Sequence, residues 1–92
     1  MTILHMDIES VQNTRQNLVA VQQIIREDVI SLSLMIQRII GTAWIGPSAQ
    51  SFYEEYDLIK IRLLQKADAL DQLSKTLQNE IGQWQDVAAR FG

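Results

Sequence analysis

Apolar residues recur along this chain at alternating steps of four and three. In the first half Leu4, Ile8, Val11, Arg15, Leu18, Gln22, Ile25, Val29, Leu32, Ile36 and Ile39 occupy such steps, and nine of these eleven are apolar. With 47% hydrophobic residues overall, chance would fill about half of them. The second half repeats the pattern at Phe52, Tyr56, Ile59, Leu63, Lys66, Leu70, Leu73, Leu77, Glu80, Trp84, Val87 and Phe91, with ten of twelve apolar. A 3.5-residue repeat marks helices packed lengthwise, whereas strands alternate every second residue. Helix formers such as Gln, Glu, Lys, Leu and Ala fill the intervening positions. The pattern predicts helix 1 over about residues 4–41 and helix 2 over about 48–91, each about 60 Å long at 1.5 Å per residue.

Only the segment from Gly41 to Ser48 has the composition of a turn. Gly41 suits a left-handed cap at the end of helix 1. Pro47 suits the first turn of helix 2, where its missing N–H is not needed, although Ser48 is an alternative cap. Gly46 tolerates the position before proline better than a residue with a side chain. One reversal, over about residues 42–47, therefore makes an all-α antiparallel hairpin from a single domain spanning residues 1–92. The chain has four glycines and one proline, too few turn formers for a sheet of this size.

In a hairpin centred near residue 47, residue i faces roughly residue 94 minus i. That rule sets Arg15 opposite Glu80 and Asp28 opposite Lys66. Either these opposite charges fix the register at the seam, or all four long side chains reach solvent from its edge.

One seam does not account for all the apolar residues. Around Val29 and Ile36, helix 1 also carries Ile30, Leu34, Met35 and Ile40, which wrap most of its circumference. Burial on more than one side is implied. A second hairpin, giving a four-helix bundle dimer, would cover Val29, Ile30, Leu34, Met35, Ile36 and Ile40. A homodimer is the default by symmetry, and a related chain would fit the same faces.

Charge and composition exclude several function classes. Net charge is −3 with both signs interspersed, so the basic stripe expected for nucleic-acid binding is missing. No run of 18 apolar residues is present, and neither helix carries the basic polar face that anionic bilayers attract, so membrane binding is not expected. Residues 1–5 lack the basic region and apolar stretch of a cleavable secretory signal. With no cysteine and His5 as the single histidine, neither a disulfide nor a structural zinc site can be assembled. Most carboxylates fall off the stripes, and no phosphate loop, catalytic triad or di-iron motif can be built. No enzyme activity and no cofactor are expected.

Trp44-Ile45-Gly46 lies near the middle of a chain of 92 residues, between two long helices, and Ala49, Phe52 and Tyr56 follow it at helical spacing. This combination resembles the WXG100 (ESAT-6-like) family of small bacterial proteins exported by type VII secretion systems. The resemblance spans nearly the whole chain. It implies a helical hairpin that dimerises with itself or a related chain, made in the bacterial cytoplasm and secreted without a cleaved signal peptide. The implied partners are the type VII secretion ATPase and, for members that act as escorts, a larger secreted toxin or effector. It also implies that Trp44 and Gly46 form half of a composite recognition surface, near the helix 2 end of the other subunit. Trp44 also fits a hairpin clasp, and the two roles are compatible.

Family members, or their partners, often carry a Tyr-x-x-x-Asp/Glu export motif after helix 2. Here Tyr53 and Asp57 match that spacing but fall in the first turns of helix 2, where we read the match as coincidence. The export motif is not found after helix 2, which leaves the route of export recognition open, a partner being one source of the signal. The alternative to secretion is a helical dimer that stays in the cell as an adaptor or scaffold.

Overall fold

The structure is a computed structural model and describes residues 5–91. Two helices make up the fold, α1 (Ile8–Ile39) and α2 (Pro47–Phe91), packed against each other as an all-α hairpin. The molecule measures 68 × 22 × 16 Å, and its radius of gyration of 20.8 Å far exceeds the roughly 12 Å of a compact domain of this length.

Helix α1 begins where the sequence supplies a cap. Asp7 has extended backbone and its Oδ1 accepts the Ser10 N–H at 3.2 Å, while the Ser10 hydroxyl donates to Asp7 Oδ2 at 2.9 Å. This satisfies an N–H that the first turn would leave free. The same bonds, the backbone N–H first, hold the Asp7 carboxyl below its usual range. The expected start at Leu4 falls outside the described residues, as does the side chain of Phe91.

Helix α1 ends at Ile39, earlier than the expected residue 41. Ile40 turns to extended backbone, and Gly41 adopts φ +86°. The Ile39 carbonyl accepts the N–H groups of Trp44 at 2.9 Å and Thr42 at 3.3 Å, and Trp44 in return accepts the Gly41 N–H at 2.9 Å. Gly46 then takes φ +124°, and Pro47 opens α2, with Gln50 N–H closing the first turn on the Gly46 carbonyl at 3.2 Å. Pro47 occupies the position its fixed φ suits best.

The seam between the helices differs from the expected stripe. On α2 it runs through Ala49, Tyr53, Tyr56, Lys60, Leu63, Ala67, Leu70, Ser74, Leu77, Ile81 and Trp84, still at steps of four and three. Ala49, Ala67, Ser74 and Ile81 are essentially sealed. The stripe read from sequence shares Tyr56, Leu63, Leu70, Leu77 and Trp84. Of its other described positions, Phe52, Ile59, Lys66, Leu73 and Glu80 precede seam positions by one residue and are exposed, and Val87 is exposed beyond the end of the seam. One residue is a rotation of about 100° around the helix. Small side chains at Ala49, Ala67 and Ser74 let the two backbones approach closely, and Leu73 beside Ser74 turns outward.

Helix α1 follows its expected stripe through Ile25 to Val29, which is 4% exposed. Beyond Val29 the buried line continues through Ser33, Ile36 and Ile40, leaving Leu32 and Ile39 outside. A straight helix drifts by about 20° per heptad against a strict 3.5 repeat, and a step of four in place of three absorbs the drift.

Candidate functional site

The sequence points to the hinge, and the geometry there is well defined. The Trp44 ring packs on Phe52 in the second turn of α2, with centroids 5.3 Å apart and planes tilted by 46°. This is the offset geometry that aromatic pairs favour. Trp44 is half-buried, and Ala49 below it is sealed at 2%. The hinge hydrogen bonds involve main chain and the Thr42 hydroxyl, and the indole N–H of Trp44 takes part in none of them. Ile45, at the tip, is 76% exposed. A Cβ at Gly41 or Gly46 would meet no atom within 4 Å, so the positive φ, and not crowding, calls for glycine at both.

Just behind the hinge, three residues form a polar clamp that the sequence did not disclose. The hydroxyls of Ser33 and Tyr56 lie 2.6 Å apart, and the Tyr56 O–H donates to the Val29 carbonyl at 3.3 Å. With the Tyr56 hydrogen so engaged, Ser33 supplies the one between the hydroxyls. Tyr56 had counted as an apolar stripe position and as a residue following the hinge at helical spacing, and Ser33 not at all. Ser74, sealed in the seam, donates to the Asp71 carbonyl at 2.7 Å and needs no partner on α1.

The six residues expected at a dimer interface do not share one face. Val29 is buried within the hairpin itself, and Ile36 and Ile40 are half-buried along the seam. Ile30, Leu34 and Met35 are 62%, 50% and 59% exposed. Ile30 and Leu34 line an open groove of about 460 Å³ with Leu64, Lys60 and Arg26. Met35, one residue after Leu34, is rotated by about 100° from it, toward the other side of the seam.

The two expected register ion pairs are not formed. Among the described residues the ion pairs are Arg26–Asp68 at 2.7 Å, Lys60–Asp57 at 3.2 Å and Lys75–Asp71 at 3.2 Å. Arg15 donates instead to Gln12 at 2.8 Å. Asp28, Lys66 and Glu80 are exposed, each one residue before the sealed Val29, Ala67 and Ile81. That rotation carries them off the seam. The register itself agrees with the 94-minus-i rule, since Arg26 meets Asp68.

Two flanks of the seam can therefore be defined. Residues that follow a seam position, such as Arg26, Ile30 and Leu34 on α1 and Leu64 and Asp68 on α2, lie together on one side, as the ion pair and the groove demonstrate. Residues that precede a seam position must then share the opposite side. There Val21, Leu32, Met35 and Ile39 of α1 lie across from Phe52, Ile59 and Leu73 of α2, all exposed.

Among the described residues no helix is long and apolar enough to cross a membrane, and no group of three or more His, Asp or Glu is placed to hold a metal ion. In comparisons with known proteins, no family model, no curated protein and no solved structure matches this chain.

Proposed function

We propose that this chain is a WXG100-like substrate or escort of a bacterial type VII secretion system, acting by pairing with another helical hairpin and not by catalysis. The observation that carries the reading is the hinge. A Trp-x-Gly tripeptide sits at the tip of two long helices, Trp44 is fixed on Phe52, and Gly46 takes the left-handed backbone that starts α2. The second support is incomplete burial. Fourteen large hydrophobic side chains remain exposed, against four buried hydrophobic residues, two of them alanine. Exposed apolar surface on this scale marks association.

In this reading Trp44 and Gly46 present the hinge to the secretion ATPase, and the pairing partner contributes the remainder of the export signal. A larger secreted toxin or effector is the cargo when the chain serves as an escort.

The test is export. Deleting the type VII ATPase of the host should abolish extracellular appearance of the chain while its intracellular level holds. Trp44→Ala should reduce export without preventing pairing, because the ring lies at the tip and not along the seam. Equal extracellular amounts with and without the ATPase would overturn the secretion reading and leave an intracellular adaptor.

A further inference from the structure

The groove over Ile30, Leu34 and Leu64 has a charge pattern of its own. By the register of the hairpin, Arg26 stands level with Asp68, Ile30 with Leu64, and Leu34 with Lys60. A cation therefore bounds each end of the apolar middle, and no acid lines the groove among the described residues. From Arg26 to Leu34 helix α1 rises about 12 Å. A smaller hollow of about 220 Å³ on the opposite flank, lined by Phe52 and Ile59, has the acid Glu55 in its wall and no cation.

Arg26 is held in place without a ligand. Its Nε donates to Gln22 Oε1 at 2.7 Å and its Nη2 donates to Asp68 Oδ1 at 2.7 Å. Two of the five guanidinium N–H groups are thereby used, and no other hydrogen bond from Arg26 forms among the described residues. A fork fixed in advance loses little freedom when it takes up an anion. Lys60, at the other end, is paired with Asp57 on its own helix at 3.2 Å, and its methylene stem extends the apolar wall. The floor is equally firm, because Val29 is buried and Ser33 is tied to Tyr56 at 2.6 Å.

We infer that this groove binds a single-chain anionic amphiphile, a medium-chain carboxylate, with its head on Arg26 and its tail along Ile30, Leu64 and Leu34. The charge pattern selects the occupant. A carboxylate accepts the free guanidinium donors in a charge-assisted contact, while a cationic head would meet Arg26 and Lys60 as like charges. The volume of about 460 Å³ lies within the range of small-molecule sites. The inference goes beyond the proposed function and does not rest on it, since neither export nor pairing needs a ligand.

Calorimetric titration of the purified full chain with dodecanoate, kept below its micelle concentration, tests this. Circular dichroism should confirm that the chain and each variant stay helical. Dodecanoate should bind saturably, a single molecule per chain. Butanoate, which has the head without the tail, should bind about tenfold or more weaker, as should dodecyltrimethylammonium, which has the tail with the opposite charge. Arg26→Gln should weaken dodecanoate about tenfold or more. Lys75→Gln, on the same flank outside the groove, should leave it unchanged. Asp68→Asn separates direct contact from mere support: it breaks the same ion pair but spares the guanidinium, so binding should hold or tighten. Absence of saturable binding, equal binding of the cationic amphiphile, or equal losses from Arg26→Gln and Asp68→Asn would overturn the inference. Dodecanoate binding per chain that falls as the chain is concentrated would place a second copy in the groove and overturn it as well.

Discussion

The two flanks of the helix–helix seam are built from the same heptads yet solve opposite problems. Residues following a seam position carry three ion pairs that close within the chain, and Ile30, Leu34 and Leu64 among them line one groove. Residues preceding a seam position leave Val21, Leu32, Met35, Ile39, Phe52, Ile59 and Leu73 exposed, beside Asp28, Lys66 and Glu80, which form no ion pair among the described residues. The contrast teaches that a long amphipathic helix with more than one apolar face need not be misread as a helix with a wide seam. The sealed positions Ala49, Ala67 and Ser74 are small, and large side chains such as Leu73 stay exposed.

The strongest way to break the comparison is a charge on the preceding flank. Leu73→Glu should abolish self-association of the full chain at micromolar concentration, measured by sedimentation, whereas Ile61→Glu on the following flank should leave it intact. Equal losses from both would erase the distinction between the flanks.

Next in size is the seam itself. Ala67 is 0% exposed, so Ala67→Leu must force the helices apart and should cost about 1–3 kcal/mol in urea denaturation. Lys66→Leu, one residue away on the exposed flank, should cost nothing comparable. If Ala67→Leu were neutral, the close approach of the helices at this level would be refuted.

Glycines separate the hinge from the helix body. Gly46 at φ +124° should lose about 1–2 kcal/mol on substitution by alanine, because the strain is in the backbone and not in contacts. Gly82 lies within α2, and a Cβ there meets nothing within 4 Å, so Gly82→Ala should add about 0.8–1 kcal/mol. Opposite signs in thermal unfolding are the expected result.

The polar contacts come next. Tyr56→Phe removes the bonds to Ser33 and Val29 and should cost about 1 kcal/mol, while Arg26→Ala, which breaks an ion pair at the surface, should cost less. Denaturation that ranks them in reverse would show that the ion pair, not the half-buried clamp, ties the helices together.

Smallest is the pH response of the α1 cap. The Ser10 N–H and hydroxyl hold the Asp7 carboxyl below the usual carboxylate range in the folded chain, so its charged form stabilises the fold above that range. The contribution should fade as pH drops from the usual carboxylate range through the lower folded value. Comparing Asp7→Asn with the parent chain from pH 2 to 6, the difference in melting temperature should vanish at the acid end; a constant difference would assign the cap no charge dependence.

How much of this was legible in the chain follows from which interactions are local. Pro47, Gly41 and Gly46 announced the hinge because backbone geometry restricts which residues can stand there. Tyr56, Leu63, Leu70, Leu77 and Trp84 were found because a heptad repeat is visible wherever the side chains are large. Asp7 with Ser10 was also local, a cap three residues ahead of its partner, and attention to it would have placed the start of α1 correctly.

What the amino-acid sequence alone determined is two helices, one reversal and the pairing of residue i with residue 94 minus i. Helix periodicity and turn chemistry are properties of neighbouring residues, and the register follows from the position of the only turn. What the tertiary structure decided is which side of each helix faces inward. Ser74 against Leu73 is a choice between adjacent positions, and hydrophobicity favours the wrong one. Only the distance of closest approach between two backbones, set by the whole length of the hairpin, decides it for the smaller side chains. The same choice turned Asp28 and Lys66 from an expected contact within the hairpin into two charges on its open flank.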